Sequence, residues 1–111
     1  MKYMFLLYNT ESEEHSSPEE MAAWGRFEAL LAERGGKISG AALQPTATAT
    51  TVSIRNGETL VTDGPFADTK EQLGGYYVLE CADLDDAIDL AAHIPWAPTG
   101  HIEVRPVLDL G

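Results

Sequence analysis

Between Thr62 and Tyr76 the chain reads Thr62-Asp63-Gly64-Pro65-Phe66-Ala67-Asp68-Thr69-Lys70-Glu71-Gln72-Leu73-Gly74-Gly75-Tyr76. Two of these residues can do chemistry. Asp63 can give or take a proton, and Lys70 can act as electrophile or clamp a substrate. Pro65 fixes φ and stiffens the segment, while Phe66 can anchor the loop or line a cavity. Gly74-Gly75 permit close backbone approach where the next strand begins. A plain connector needs only a few turn residues. The segment therefore reads as a site wall, with Asp63 and Lys70 as catalytic candidates and Pro65, Phe66, Thr69 and Glu71 as substrate-binding candidates. In the plainer alternative, Asp63 bonds the backbone ahead of it to hold a turn and Lys70 pairs with Asp68 or Glu71 at the surface.

A second constellation lies near the end. In a strand over 102–107, period-two alternation sends Ile102 and Val104 one way and His101, Glu103 and Arg105 the other. Arg105 could then orient an anion, with Glu103 or His101 carrying a proton. The alternative is a simple Glu103–Arg105 charge pair. Cys81 sits in an apolar strand and reads as a packing residue, and His93 suits the dipole at the end of a helix. No His-x-x-x-His or Cys-x-x-Cys spacing calls for a metal. The glycines match neither phosphate-binding nor dinucleotide fingerprints, so no cofactor is expected.

The elements that must position these groups follow in clear order. Residues 2–9 form an apolar strand, and 10–17 a polar, acidic surface loop. Ser17 is placed as the N-cap of a helix, Pro18 at its first position, and Glu20 closing a capping box. Met21, Trp24, Phe27 and Leu31 make its apolar stripe, and Gly35-Gly36 stop it. Residues 37–43 form a short strand, Pro45 interrupts, and 48–54 is rich in β-branched residues. Asn56-Gly57 marks a hairpin to Leu60-Val61. A central strand over 76–81 precedes a helix capped by Asp83, with Leu84, Ala87, Ile88 and Ala91 as its stripe and an end before Pro95.

This order holds two strand-helix-strand units. It predicts an α+β, ferredoxin-like antiparallel sheet with two helices on one face and an inserted hairpin. Strands 2–8 and 76–81 are apolar on both sides, so the open sheet face is expected to be covered by a second copy, with a pocket at that face.

The 111 residues suit a single domain, 1–111, and 44% hydrophobic content argues against disorder. Eighteen acids against 7 bases give a net charge of −11, which disfavours nucleic acid and anionic membrane surfaces as partners. No apolar run reaches the roughly 20 residues that span a bilayer. The N-terminus reads as a first strand, not a signal peptide, and the single cysteine fits the cytoplasm.

Asp63-Gly64-Pro65-Phe66, followed by Thr69-Lys70-Glu71 and Gly74-Gly75-Tyr76, resembles the signature of the DGPF proteins in the YCII-related family. The likeness extends to Lys2-Tyr3-Met4, Leu43-Gln44-Pro45 and Ile102-Glu103-Val104-Arg105-Pro106, and so covers essentially the whole chain. It implies a dimeric ferredoxin-like α+β barrel with an active-site cleft. In bacteria it also implies association with extracytoplasmic-function sigma factors. Other members of the family have a proposed His–Asp pair whose histidine comes from the first helix. Residues 18–35 contain no histidine, so that pair does not transfer. Asp63 is the acid carried over by motif, with Lys70 beside it, and His15 in the preceding loop could substitute sterically for the missing histidine. Two functions remain open. One is a small-molecule enzyme using acid/base or lyase-like chemistry. The other is a non-catalytic, ligand-sensing accessory protein that meets a sigma factor through segment 10–20 or the Pro95-Trp96-Ala97-Pro98 loop.

Overall fold

The computed structural model describes residues 1–111. Strand β1 is Lys2–Asn9, helix α1 Pro18–Arg34 and strand β2 Lys37–Ala42. A hairpin of β3 (Thr50–Arg55) and β4 (Glu58–Asp63) follows, then β5 (Gln72–Glu80), α2 (Leu84–Ala92) and β6 (His101–Pro106). The four-stranded sheet has the order β2-β5-β1-β6, antiparallel throughout. The expected α+β, ferredoxin-like arrangement is therefore present, and the hairpin forms a separate two-stranded sheet. Asn56 at φ 52 and Gly57 at φ 78 supply the two left-handed positions that a tight, twist-matched hairpin turn needs.

Alternation along β1 is strict. Tyr3, Phe5, Leu7 and Asn9 are buried, whereas Met4, Leu6 and Tyr8 are only half-buried. The buried set joins Tyr77 and Leu79 of β5, Phe27 and Leu31 of α1, and Ala87 and Leu90 of α2 in one core. Both helices thus cover the same face, and the Met4–Leu6–Tyr8 face is left open. Burial of Phe5, Leu31, Leu79 and Ile94, each under 2% exposed, supplies roughly 1.5–3 kcal/mol per side chain.

Several local expectations change. Met21 is 59% exposed, so the α1 stripe begins at Trp24. On α2 the buried line is Ala87 and Leu90, continued by Ile94, while Leu84 and Ile88 face solvent. The helix is rolled to bring Leu90 onto the sheet. Residues 46–48 form a 3₁₀ turn ahead of β3, and β5 starts at Gln72, four residues before Tyr76. Cys81 lies just past β5, buried in the core, and burial pushes its thiol pKa up. That suits packing rather than nucleophilic attack. No helix is long and apolar enough to cross a membrane.

The loop before α1 is more than surface. It holds a 3₁₀ turn, Glu13–Ser16, with the Ser12 hydroxyl accepting from the Glu14 N–H at 3.1 Å. Ser17 caps α1 as expected, its hydroxyl accepting from the Glu20 N–H. The reciprocal half of the capping box is missing, because the Ser17 N–H bonds the Glu14 carbonyl instead. The Glu20 carboxylate is left free to turn elsewhere.

Candidate functional site

The Glu20 carboxylate turns into a cleft between α1 and strands β2 and β5. His15 Nδ1 lies 2.9 Å from Glu20 Oε1, and the Trp96 indole N–H donates to Glu20 Oε2 at 3.3 Å. On the other side of the ring, His15 Nε2 sits 2.7 Å from the Thr10 carbonyl. A carbonyl only accepts, so Nε2 carries a proton, and an ionised carboxylate is satisfied only if Nδ1 carries one too. With Glu20 ionised, the imidazolium fulfils both contacts. Burial alone would depress the His15 pKa. The Glu20 and Thr10 hydrogen bonds and the charges of Glu20 and Glu14 outweigh it and raise the pKa above its ordinary value.

The cleft encloses about 930 Å³. Trp24 and Trp96 meet edge to face with centroids 6.1 Å apart, and the His15 ring lies 4.9 Å from that of Trp96. Leu7 and Gly75 contribute to the floor. At the opposite end, the Tyr77 hydroxyl donates to Glu28 at 2.7 Å and the Lys37 ammonium pairs with the same carboxylate at 3.0 Å. Burial, reinforced by Glu28, drives the Tyr77 pKa well above the usual phenol range. The Tyr77 hydroxyl, and after it Lys37, lower that of Glu28.

Five residues of the strap over 10–16 line the cleft: Glu11, Ser12, Glu13, His15 and Ser16. Buried Asn9 accepts from the Thr10 N–H at 2.8 Å and donates to the Thr99 hydroxyl, fixing where the strap begins. Glu11 accepts the Thr46 N–H at 2.7 Å, and the Thr46 side chain, followed by that N–H, holds the Glu11 pKa down.

The residues singled out in the sequence fall beside this cleft. Pro65, Phe66, Thr69 and Glu71 line a second hollow of about 500 Å³. The two hollows share the Leu43-Gln44-Pro45 turn and Gln72-Leu73 as a common wall. Asp63 and Lys70 are exposed and line neither. The turn after Asp63 is held by the Gly64 N–H to the Ala49 carbonyl and the Thr51 hydroxyl to the Gly64 carbonyl, each 2.8 Å, not by the aspartate side chain. Lys70 pairs with neither Asp68 nor Glu71. Glu71 instead meets His101 Nδ1 at 2.6 Å, tying the loop to β6.

His101, Glu103 and Arg105 do share the open sheet face, opposite Tyr8, Leu6 and Met4. Glu103 and Arg105 approach to 3.8 Å and stay largely exposed, a loose surface pair. No three His, Cys, Asp or Glu side chains converge as a metal cluster would. The structure thus joins Glu71 to His101 and Glu103 to Arg105, and leaves Asp63 and Lys70 apart from both.

A model of the YCII-related domain matches residues 1–111. The chain belongs to the YCII-related family. An uncharacterized protein of Rhizobium meliloti is 43% identical over 96% of this chain and 92% of its own. Among solved structures, the 5-chloro-2-hydroxyhydroquinone dehydrochlorinase TftG of Burkholderia phenoliruptrix AC1100, in complex with 2,5-dihydroxybenzoquinone, superimposes with a TM-score of 0.55. The match covers 97% of this chain and 94% of that one at 12% identity, a likeness of fold. In this YCII-related protein the cleft histidine comes from the strap, and the acid beside it comes from the first turn of α1. Sequence reasoning assigned Glu20 to the helix cap and so passed over the pair. The available signal was a histidine and a glutamate five residues apart on either side of the N-cap.

Proposed function

We propose that the α1–β5 cleft is a small-molecule site in which the His15–Glu20 pair handles the proton and the aromatic walls hold a planar ligand. The supporting observation is the His15 ring itself. It is 22% exposed, hydrogen-bonded at both ring nitrogens, with a pKa raised by Glu20, and set against Trp96 beside a cleft large enough for a metabolite. Such a group can donate a proton to a developing anion once a ligand oxygen takes the place of the Thr10 carbonyl. The dehydrochlorinase that shares the fold acts on a hydroxylated ring, which is compatible with aromatic walls of this kind.

The Asp63–Phe66 loop enters this reading as an outer wall. Pro65, Phe66, Thr69 and Glu71 line the adjoining hollow, and Asp63 and Lys70, exposed in the same loop, are candidates for ligands that extend beyond the cleft. The alternative, an accessory protein acting with a sigma factor, drew on segment 10–20. Within that segment the half-buried His15 and Glu20 bond each other in the cleft, which supports the cleft reading, while most of its other residues stay exposed.

The test is ligand capture. Native mass spectrometry of protein purified from cells should show an adduct of metabolite size in the wild type. The adduct should be lost in His15→Gln while thermal unfolding stays cooperative. An adduct that survives His15→Gln and Trp96→Leu alike would place the ligand elsewhere and sink the proposal.

A further inference from the structure

The core-facing side of β1 runs Tyr3, Phe5, Leu7 and then Asn9, so an amide stands where the period calls for an apolar side chain. Asn9 is 4% exposed and is the one buried polar residue of the chain. A leucine would continue the stripe at no polar cost, whereas a buried amide is tolerated only when its donor and acceptor are both bonded. Both are. The Thr10 N–H can only donate, so Asn9 Oδ1 faces it at 2.8 Å, and Asn9 Nδ2 faces the Thr99 hydroxyl at 3.0 Å.

Each bond leads to the His15–Glu20 pair by its own route. Thr10 supplies the carbonyl that meets His15 Nε2 at 2.7 Å. Thr99 belongs to a turn closed by the Trp96 carbonyl, which accepts from the Thr99 and Gly100 N–H groups at 3.2 and 2.7 Å. Gly100 lays this turn so tightly on β1 that a Cβ added to it would overlap the Tyr8 carbonyl. Trp96 then carries its indole N–H to Glu20, and Glu20 meets His15. The contacts close a ring through Asn9, Thr10, His15, Glu20, Trp96 and Thr99. Its Asn9–Thr99 link ties the root of the strap to a turn 90 positions away in the chain.

Resting on the cleft reading above, we infer that Asn9 is the positioning residue of the His15–Glu20 pair. Its amide sets the Thr10 carbonyl against His15 and, through Thr99, the Trp96 indole against Glu20. Asn9 bonds neither member of the pair and acts through these two groups. An ionised aspartate could not donate to Thr99 and a leucine could bond neither side, so this two-armed role calls for an amide.

The test reads the two arms separately, by imidazole titration of His15 and by solvent exchange of the Trp96 indole N–H. Asn9→Leu should fold with a urea midpoint at or above that of the wild type. It should nonetheless lower the His15 pKa and speed Trp96 exchange about tenfold, roughly the worth of one hydrogen bond. Thr99→Val cuts one arm, so Trp96 exchange should quicken by a similar factor while His15 titrates as before. Thr99→Ser keeps the hydroxyl and should exchange like the wild type. In native mass spectrometry the metabolite adduct should fall at least about threefold in Asn9→Leu. The assignment is overturned by an unmoved His15 pKa in Asn9→Leu, by unmoved Trp96 exchange in Thr99→Val, or by Thr99→Ser behaving like Thr99→Val. An adduct undiminished in a folded Asn9→Leu overturns it as well. Should Asn9→Leu not fold, the two Thr99 variants decide. A wild type that carries no adduct counts against the cleft reading alone, because titration and exchange need no ligand.

Discussion

Gly74 and Trp96 are fitted to each other. A Cβ built on Gly74 would stand 2.6 Å from Cζ3 of the Trp96 indole, closer than any real side chain approaches. The missing side chain lets the indole lie against β5, where its N–H reaches Glu20. Gly74→Ala should therefore displace the cleft wall and cost about 1–3 kcal/mol, the usual penalty of overpacking. Gly25, within α1, is the control, since its Cβ would meet nothing within 4 Å. Gly25→Ala should stabilise by up to about 1 kcal/mol through helix propensity. Urea unfolding checks both, and equal midpoints for wild type and Gly74→Ala would refute the fitted-wall account.

That relationship also marks how far the sequence could be read. Gly74-Gly75 was legible as a place of close approach, but not which residue approaches, because Trp96 is more than twenty positions away. The same limit applies to Glu20, whose local role as a helix cap is visible in Ser17-Pro18-Glu19-Glu20. Its carboxylate's choice between the Ser17 N–H and His15 depends on where the strap folds back. The sheet, the Asn56-Gly57 hairpin and the facing of Ile102 and Val104 follow from period and turn chemistry, and they match. The Asp63 loop drew notice through unusual composition, whereas the cleft is assembled from ordinary residues by tertiary contact.

His15 gives a pH signature with a fixed sign. Its pKa is raised above the ordinary 6.5, so the Glu20 and Thr10 contacts stabilise the fold fully below about pH 6.5. The contribution fades as pH rises through the higher folded-state value. In Glu20→Gln the main raising influences are lost and burial remains, so the His15 pKa should drop. Imidazole ¹H–¹⁵N titration reads both. A His15 pKa that rises or stays put in Glu20→Gln contradicts the pairing.

Asp63 and Lys70 are exposed and make no side-chain contact that holds the fold. Asp63→Asn and Lys70→Met should each leave the unfolding midpoint within about 0.5 kcal/mol of wild type, as surface substitutions do. Weaker capture of the cellular ligand in these folded variants would assign the loop a part in binding. Unchanged capture would confine function to the cleft.

The open sheet face leads to an expected homodimer. Met4, Leu6 and Tyr8 project away from the helices, and Leu6 stands between Tyr76 on one neighbouring strand and Glu103 on the other. A row of this apolar character left to water is costly, and a second copy of the same face can cover it isologously. Light scattering after size exclusion should give twice the 12.0 kDa chain mass. Leu6→Glu places a second carboxylate beside Glu103 without entering the helix-side core. It should therefore yield a folded monomer, with near-ultraviolet circular dichroism from Trp24 and Trp96 retained. A wild-type chain that elutes as a monomer at high concentration would show that this face needs no partner. A dimer that survives Leu6→Glu would move the interface elsewhere, to the hairpin surface where Val52, Ile54 and Val61 are each at least 60% exposed.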